Sequence, residues 1–242
     1  MSGIDEAALR AAATWESEPI NILAPGDDTR ALIPQGWWPV AESADPQDRA
    51  HAALALWNAE FVELIPRYAA VLRDSLVDVR VAKHSWLGAP SLDYVVRRFN
   101  GDLLVWVGED PRTIGDEMPP LFDSVPPAVQ TFLRQVHAGY TIYDGESCGV
   151  TSPSAMKTLA AYWGEPDRNE IAEWDEDYPF PGSQRLLLLT GSETSHLFTS
   201  PDLPVGSAVT YFEPEYEIVP FGKGLDIFMN MPLGGRGGCR WV

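Results

Sequence analysis

Two apolar runs joined by Asn100-Gly101 give the clearest structural signal in this chain. Residues 92–99 and residues 103–107 are rich in β-branched, aliphatic and aromatic side chains, which favour strands. Asn-Gly favours a two-residue turn in which both residues adopt positive φ, and such a turn joins antiparallel strands. The pattern therefore predicts a β-hairpin. Because successive side chains of a strand point to opposite faces, we expect two pairs on the second strand: Val105 with Val107, and Leu104 with Trp106.

Further helices and strands are predicted on both sides of this hairpin. Apolar residues recur every three or four positions from Pro46 to about Leu76, which is typical of a helix, and Asp45 before Pro46 favours a helix start. Pro66 lies inside this pattern and should kink or split the helix, because proline has no amide hydrogen. Similar reasoning predicts helices at residues 126–139, 152–164 and 224–231, and strands at residues 77–82, 140–143, 185–189, 196–199 and 208–212.

The charge of the chain restricts the choice of partner. There are 35 acidic residues against 17 basic ones, which gives a formal net charge of -18. This field repels phosphate backbones and anionic lipids, so nucleic acid and membrane surfaces are not expected as partners. It attracts a basic protein and speeds its approach. An acidic surface can also serve solubility alone, and composition does not separate these two interpretations.

Hydropathy and cysteine usage favour a cytoplasmic protein. No run approaches the roughly 20 apolar residues that a membrane-spanning helix needs. Residues 1–17 lack the basic stretch followed by an apolar one that a signal peptide would show. Cys148 and Cys239 are far apart in sequence and form no CxxC pattern, so we expect two reduced thiols without a special role.

One motif suggests an enzyme. Residues 145–149 read G-x-S-x-G, which is the nucleophile elbow of α/β-hydrolases. A serine nucleophile needs a histidine base that is oriented by a carboxylate. In this chain Ser147 would be the nucleophile and His196 the base, with Asp175 or Asp202 as the carboxylate.

The surroundings of this motif do not match an elbow, and we predict that the chain is not an enzyme. An elbow leads straight into a helix, whereas here the helix is predicted to start only at Ser152-Pro153. No HGGG-type oxyanion loop precedes the motif, and the β-α-β order of a parallel sheet is missing. We interpret residues 145–149 as a tight turn and keep a serine hydrolase using Ser147 as the alternative function.

No metal or cofactor site is predicted. The four histidines are scattered, without the HxxxH or HExxH spacing of a zinc site: His51, His84, His137 and His196. The glycine-rich segment 234–238 contains neither GxGxxG nor a P-loop lysine, so it does not indicate a phosphate cradle.

An acidic segment with interleaved aromatic residues is the best candidate for a binding site. Seven of the thirteen residues in segment 165–177 are acidic, and Trp163 and Phe180 lie close to its ends. Carboxylates that steer a partner and aromatic residues that anchor it are typical of a protein-binding hot spot. The alternative is a solvated loop whose aromatic side chains pack into the core. The predicted partner-binding residues are Glu170, Glu173, Trp174, Asp175, Glu176, Asp177 and Tyr178.

The order of elements after residue 125 resembles the SUKH immunity superfamily. Residues 125–139 (VPPAVQTFLRQVHAG) are similar to its opening helix, with a proline, a Phe-Leu pair and a final glycine. Four later segments are similar to its following strand, turn and helix, its central hairpin, its next strand and its closing helix: residues 143–159, 185–202, 207–220 and 224–231. The resemblance implies an α+β fold and an immunity protein, which binds a bacterial toxin and blocks it without catalytic residues.

These observations predict an α+β protein with a mostly antiparallel sheet flanked by helices. We divide the chain into an N-terminal helix-and-hairpin portion (residues 1–118), a SUKH-like domain (residues 119–233) and a glycine-rich tail (residues 234–242). The predicted function is inhibition of a cognate, basic toxin domain by covering its active surface.

Overall fold

Two antiparallel sheets form the framework of the protein. The computed structural model describes Ala7 and residues 20–142, 147–171, 180–192, 194–213 and 215–234. Within these ranges each sheet has five strands, and helices flank the sheets. The predicted α+β class is therefore confirmed.

The strands follow sequence order within each sheet, and neighbouring strands are antiparallel. The first sheet consists of β1 (Asn21–Ile22), β2 (Leu76–Lys83), β3 (Ser91–Arg97), β4 (Leu103–Glu109) and β5 (Tyr140–Ile142). The second sheet consists of β6 (Lys157–Thr158), β7 (Leu187–Ser192), β8 (Ser195–Thr199), β9 (Ser207–Phe212) and β10 (Glu215–Pro220). The helices are α1 (Asp27–Leu32), α2 (Trp38–Glu42), α3 (Pro46–Leu54), α4 (Ala59–Leu64), α5 (Pro66–Ser75), α6 (Pro127–Gln135), α7 (Leu159–Tyr162) and α8 (Phe221–Asn230).

The predicted hairpin is confirmed as β3 and β4, but its turn differs from the prediction. The Arg98 amide donates to the Asp102 carbonyl at 2.7 Å, so three residues make the reversal instead of two. Of these, Gly101 has a positive φ of 90° and Asn100 does not, as in a three-residue loop that ends on a left-handed glycine. The Asn100 side chain accepts the Asp102 amide at 3.0 Å and holds the loop in this form.

The long helical pattern of residues 46–76 folds as three helices, α3, α4 and α5. Asp45 caps α3 as predicted, since its carboxylate accepts the Gln47 amide at 2.7 Å. Pro66 splits the pattern by opening α5 at the first helical position, where its missing amide hydrogen costs nothing.

Helix α8 fastens the helical layer to the second sheet. It contacts β8, β9 and β10 on one side and α4 and α5 on the other. The buried Asp226 carboxylate accepts the Arg67 amide at 3.2 Å and the Tyr68 amide at 2.9 Å. These amides lie in the first turn of α5 and lack partners within that helix. Asp226 therefore caps a helix that is 158 positions away in sequence.

The predicted helix over residues 152–164 is wrong in most of its length. Lys157–Thr158 pairs with β7 as strand β6, and α7 is a single turn. The Thr158 side chain accepts the Ala161 amide at 3.2 Å, so the helix begins only after this residue. Gly164 follows the helix with φ of 74°, which agrees with the predicted end.

The segment after α6 joins the first sheet. Strand β5 pairs with β4, and the Gly139 carbonyl accepts the Glu109 amide at 2.9 Å. Because this pairing draws the chain into the sheet, α6 ends at Gln135 and not at Gly139 as predicted. The last strand of the first sheet, β5, ends at residue 142. By sequence it belongs to the predicted second domain, which we drew from residue 119, but it pairs in the first sheet.

One main core lies between the helices and the inner faces of both sheets. The predicted alternation along β4 is confirmed: Leu104 and Trp106 face this core, whereas Val105 and Val107 belong to a small cluster on the opposite face of the first sheet. The two sheets therefore share one core.

Three polar side chains inside this core form a hydrogen-bonded chain. The Tyr94 hydroxyl accepts Trp57 Nε1 at 3.1 Å and lies 2.8 Å from His137 Nε2. Burial lowers the pKa of His137 to about 3, so its imidazole is neutral at physiological pH. The structure thus places His137 in the core.

Candidate functional site

A ladder of aromatic rings crosses the outer face of the second sheet. His196 on β8 is paired with Tyr211 on β9, which is paired in turn with Tyr216 on β10. Their rings are stacked, with centroids 6.0 Å and 5.5 Å apart. The ladder follows from the two-residue period of the strands, which sends Leu197 and Ala208 to the main core and these rings to the other face.

Residues of α7 and of the first part of the acidic segment form a groove with this ladder. The aromatic groove is defined by Leu159, Trp163, Glu165, Arg168, Ile171, His196, Phe198, Val209, Tyr211 and Tyr216, and its volume is about 420 Å³. Arg168 shapes its rim, because its guanidinium lies over the Trp163 ring at 4.9 Å and binds Glu165 at 3.0 Å. A groove of this size, lined mostly by aromatic and aliphatic side chains, suits a side chain or a short loop of a partner.

The groove combines uncharged rings with an acidic rim. Burial lowers the pKa of His196, so this imidazole adds no positive charge at neutral pH. Glu165 lines the groove, and Asp167 and Glu170 are exposed in the same segment, next in sequence to the lining residues Arg168 and Ile171; we call these three carboxylates the acidic rim. Tyr162 next to the groove is 49% exposed and Trp163 is 38% exposed, so two large aromatic side chains are partly exposed in the same segment as these carboxylates.

The predicted partner-binding residues fall only in part within the described chain. Glu170 is exposed and precedes Ile171, which lines the aromatic groove. The others lie outside the described residues: Glu173, Trp174, Asp175, Glu176, Asp177 and Tyr178. Sequence reasoning missed the aromatic ladder, although alternation at residues 196, 198, 209, 211, 216 and 218 carries the signal for one apolar sheet face.

Strand β10 adds charge at the edge of the same sheet. The resemblance predicts one strand over residues 207–220, and this is wrong, because β9 and β10 are two paired strands. Glu215 and Glu217 are exposed on β10 and alternate with Tyr216 and Ile218. Charged side chains on an edge strand discourage pairing with other strands, and here they extend the acidic surface beside the ladder.

Two members of the candidate hydrolase triad line the same small pocket. Ser147 and His196 both border a cavity of about 280 Å³ between the 147–151 segment and β7. Asp202 does not serve as the carboxylate, since it is paired with Arg185 at 2.7 Å on the surface. Asp175 lies outside the described residues.

The backbone at Ser147 also differs from an elbow. The residue after the nucleophile normally donates its amide to the oxyanion, but the Cys148 amide donates to the Gly191 carbonyl at 3.2 Å. The positive φ of an elbow is found at Cys148, at 67°, and not at Ser147. After Ser147 the chain runs beside β7 and does not enter a helix.

We expect Ser147→Ala to leave the function of the protein unchanged, because Ser147 is not a nucleophile. A fluorophosphonate probe should not modify either the native chain or the variant, because the oxyanion donor is occupied. Intact-mass spectrometry after incubation with the probe measures this directly. Stoichiometric labelling that disappears in Ser147→Ala would instead establish a serine hydrolase.

The remaining site classes find no support in the part of the chain that the structure describes. No group of three or more His, Cys, Asp and Glu side chains there is arranged to hold a metal ion. None of the described helices has the length and apolar character to cross a membrane. Cys148 is buried, whereas Cys239 lies outside the described residues.

The chain matches no family model, no curated protein and no solved structure. The resemblance to the SUKH superfamily stays a prediction.

Proposed function

We propose that this protein binds a basic protein partner through the aromatic groove and its acidic rim, and that it inhibits this partner as an immunity protein inhibits a toxin. The observation that carries the proposal is the exposed pair Tyr162 and Trp163 beside the carboxylates of Glu165, Asp167 and Glu170. Aromatic side chains anchor protein interfaces, and surrounding charges steer the approach.

The overall charge supports this choice of partner. With a formal net charge of -18, the protein attracts a basic domain over a range of roughly 8 Å at physiological ionic strength. An inhibitor gains from such steering because it must reach its partner quickly. The SUKH-like order of elements favours a toxin as the partner, and tight binding over an active surface requires no catalytic residue.

The proposal is tested by protection in a cell. We expect a toxin to be encoded beside the gene of this protein, and co-expression with that toxin domain should restore growth and yield a complex on gel filtration. Growth arrest despite good expression of both chains, without a complex, would contradict the proposal.

Loss of an aromatic anchor should speed dissociation of the partner. Trp163→Ala removes a partly exposed ring that contributes about 2 kcal/mol in a typical hot spot, so the dissociation constant should rise about thirtyfold. Phe99→Ala is the matched control, since Phe99 is 74% exposed on the hairpin of the first sheet and should leave binding unchanged. Surface plasmon resonance with the toxin domain measures both.

The acidic rim should act on association instead. The double variant Asp167→Lys and Glu170→Lys reverses two exposed charges, so association should slow and its salt dependence should flatten. Melting temperatures of all variants should stay close to the native value. Equal association rates at low and high salt for the native chain and the double variant would remove this rim from the interface.

A further inference from the structure

A second groove lies at the end of the first sheet, away from the aromatic ladder. Glu109, the last residue of β4, borders it together with Trp86, Leu87, Ile114, Met118 and Met156. Its volume is about 980 Å³, which is in the upper range for ligand-binding clefts. The groove therefore combines apolar walls with a carboxylate; we call it the Glu109 groove.

Two backbone hydrogen bonds fix the position of Glu109. Its amide donates to the Gly139 carbonyl at 2.9 Å, and its carbonyl accepts the Ala138 amide at 3.1 Å. The carboxylate lies against Gly139, because a Cβ atom on this glycine would be 2.6 Å from Glu109 Oε1. The absence of a side chain at residue 139 thus makes room for the carboxylate.

The Glu109 carboxylate has no partner among the described residues. Burial raises the pKa of Glu109 to about 7, and a carboxylate that is partly removed from water without a partner costs free energy. The Glu109 oxygens are not among the fully buried, unbonded side-chain atoms of the described chain, so they are open to the groove. A cation supplied by a ligand would offset this cost.

The charged groups around Glu109 do not provide this cation. His137 is neutral because burial lowers its pKa to about 3. Arg112 is bound to Asp110, at 2.6 Å, and to the Leu32 carbonyl. Glu117 is a further carboxylate on the groove wall, and the lining residues, all of which the structure describes, include no lysine or arginine.

We infer that the Glu109 groove binds a lysine side chain of the partner protein, with the ammonium group at Glu109 and the methylene stem along the apolar walls. A lysine fits this pattern because it has a compact charged head on an apolar four-carbon stem. Trp86, which is 43% exposed, supplies an aromatic face at the mouth where a cation is also attracted. The choice of a protein as the source rests on the proposed function and on the acidic charge of the chain.

The inference is tested without the toxin, so that its failure and that of the proposed function are distinguishable. Nα-acetyl-lysine N-methylamide is titrated into the ¹⁵N-labelled full chain at pH 8, with Nα-acetyl-norleucine N-methylamide as a ligand of similar stem that lacks the charge. The lysine compound should shift amide signals of residues 109–118 and 138–139. The norleucine compound should bind at least about tenfold more weakly.

Two variants and a pH series complete the test. Glu109→Gln keeps the shape of the side chain and removes its charge, so this variant should bind the lysine compound about tenfold more weakly or worse. Glu117→Gln is the matched control and should change the affinity for the lysine compound less than about twofold. Native binding should weaken by about tenfold from pH 8 to pH 6, because Glu109 is then protonated, and Glu109→Gln should show no such dependence. Equal binding of the two compounds, or an unchanged affinity of Glu109→Gln, overturns the inference. Tighter binding of 1,4-diaminobutane than of the lysine compound overturns the protein source.

Discussion

Asp78→Ala is expected to lower the free energy of unfolding by about 3 to 5 kcal/mol, one of the two largest effects that we predict for a single substitution in this protein. Asp78 on β2 is fully buried, and Arg49 on α3 is 5% exposed. Arg49 Nε donates to Asp78 Oδ1 at 2.8 Å, and Arg80 Nε donates to Asp78 Oδ2 at 2.6 Å. Without the carboxylate, the Arg49 guanidinium would be a buried charge that lacks its counter-ion.

The matched control is Asp202→Ala on the surface. Asp202 pairs with Arg185 at 2.7 Å, but both side chains are nearly half exposed, and exposed pairs contribute about 0 to 1 kcal/mol. Urea denaturation of the two variants, with the slope of the transition checked for two-state behaviour, gives both values. Equal losses for Asp78→Ala and Asp202→Ala would contradict the structural role of the buried pair.

A double variant separates the pair from the single charge. Arg49→Met combined with Asp78→Leu removes both buried charges, and replacement of a buried pair by apolar groups is often close to neutral. The double variant should therefore be more stable than Asp78→Ala, although Arg80 also loses a partner. If it is less stable, the loss comes from packing and not from an uncompensated charge.

Local patterns in the sequence predicted those elements whose formation depends on neighbouring residues. The two-residue period of residues 103–107 placed Trp106 in the main core and Val105 on the other face. Asp45 marked a helix start and Pro66 a break in the helical pattern, because capping and the missing proline amide act within one turn. These signals need no knowledge of the partner segment.

Features that depend on distant segments could not be read in the same way. Strand β5 has three residues, too few to indicate which sheet it joins. Thr158 favours both a strand and a helix cap, and only its pairing with β7 settles where α7 begins. The cap that Asp226 provides for α5 needs two segments brought together by folding.

The candidate sites also combine features that are visible in the sequence with features that depend on distant segments. Acidic residues around residue 170 were visible in the sequence, whereas the aromatic ladder needs the register of β8, β9 and β10. The Glu109 groove had no sequence signal at all. One glutamate among 35 acidic residues becomes distinctive only when its burial and its lack of a partner are known.

Gly149→Ala is expected to destabilise the protein by about 3 kcal/mol or more, because the new methyl group would collide with backbone atoms in a packed core. A Cβ atom at this position would overlap the Tyr140 carbonyl oxygen and lie 2.8 Å from the carbonyl carbon and 3.0 Å from the Trp106 ring. The Tyr140 and Trp106 rings are stacked at 5.2 Å in the main core. Relief of the collision would therefore disturb β5 and its pairing with β4.

The same collision explains why residue 149, the second glycine of the G-x-S-x-G pattern, is a glycine. Gly149 is required by the close approach of two backbone segments, so the second glycine of the motif has a packing role that is independent of Ser147. Gly115→Ala is the matched control, since a Cβ atom there has no neighbour within 4 Å, and its effect should stay within about 0.5 kcal/mol. Chemical denaturation of Gly149→Ala, Gly115→Ala and Ser147→Ala should show one large loss and two small changes. A stable Gly149→Ala would remove the packing explanation, and the motif would then need a functional one.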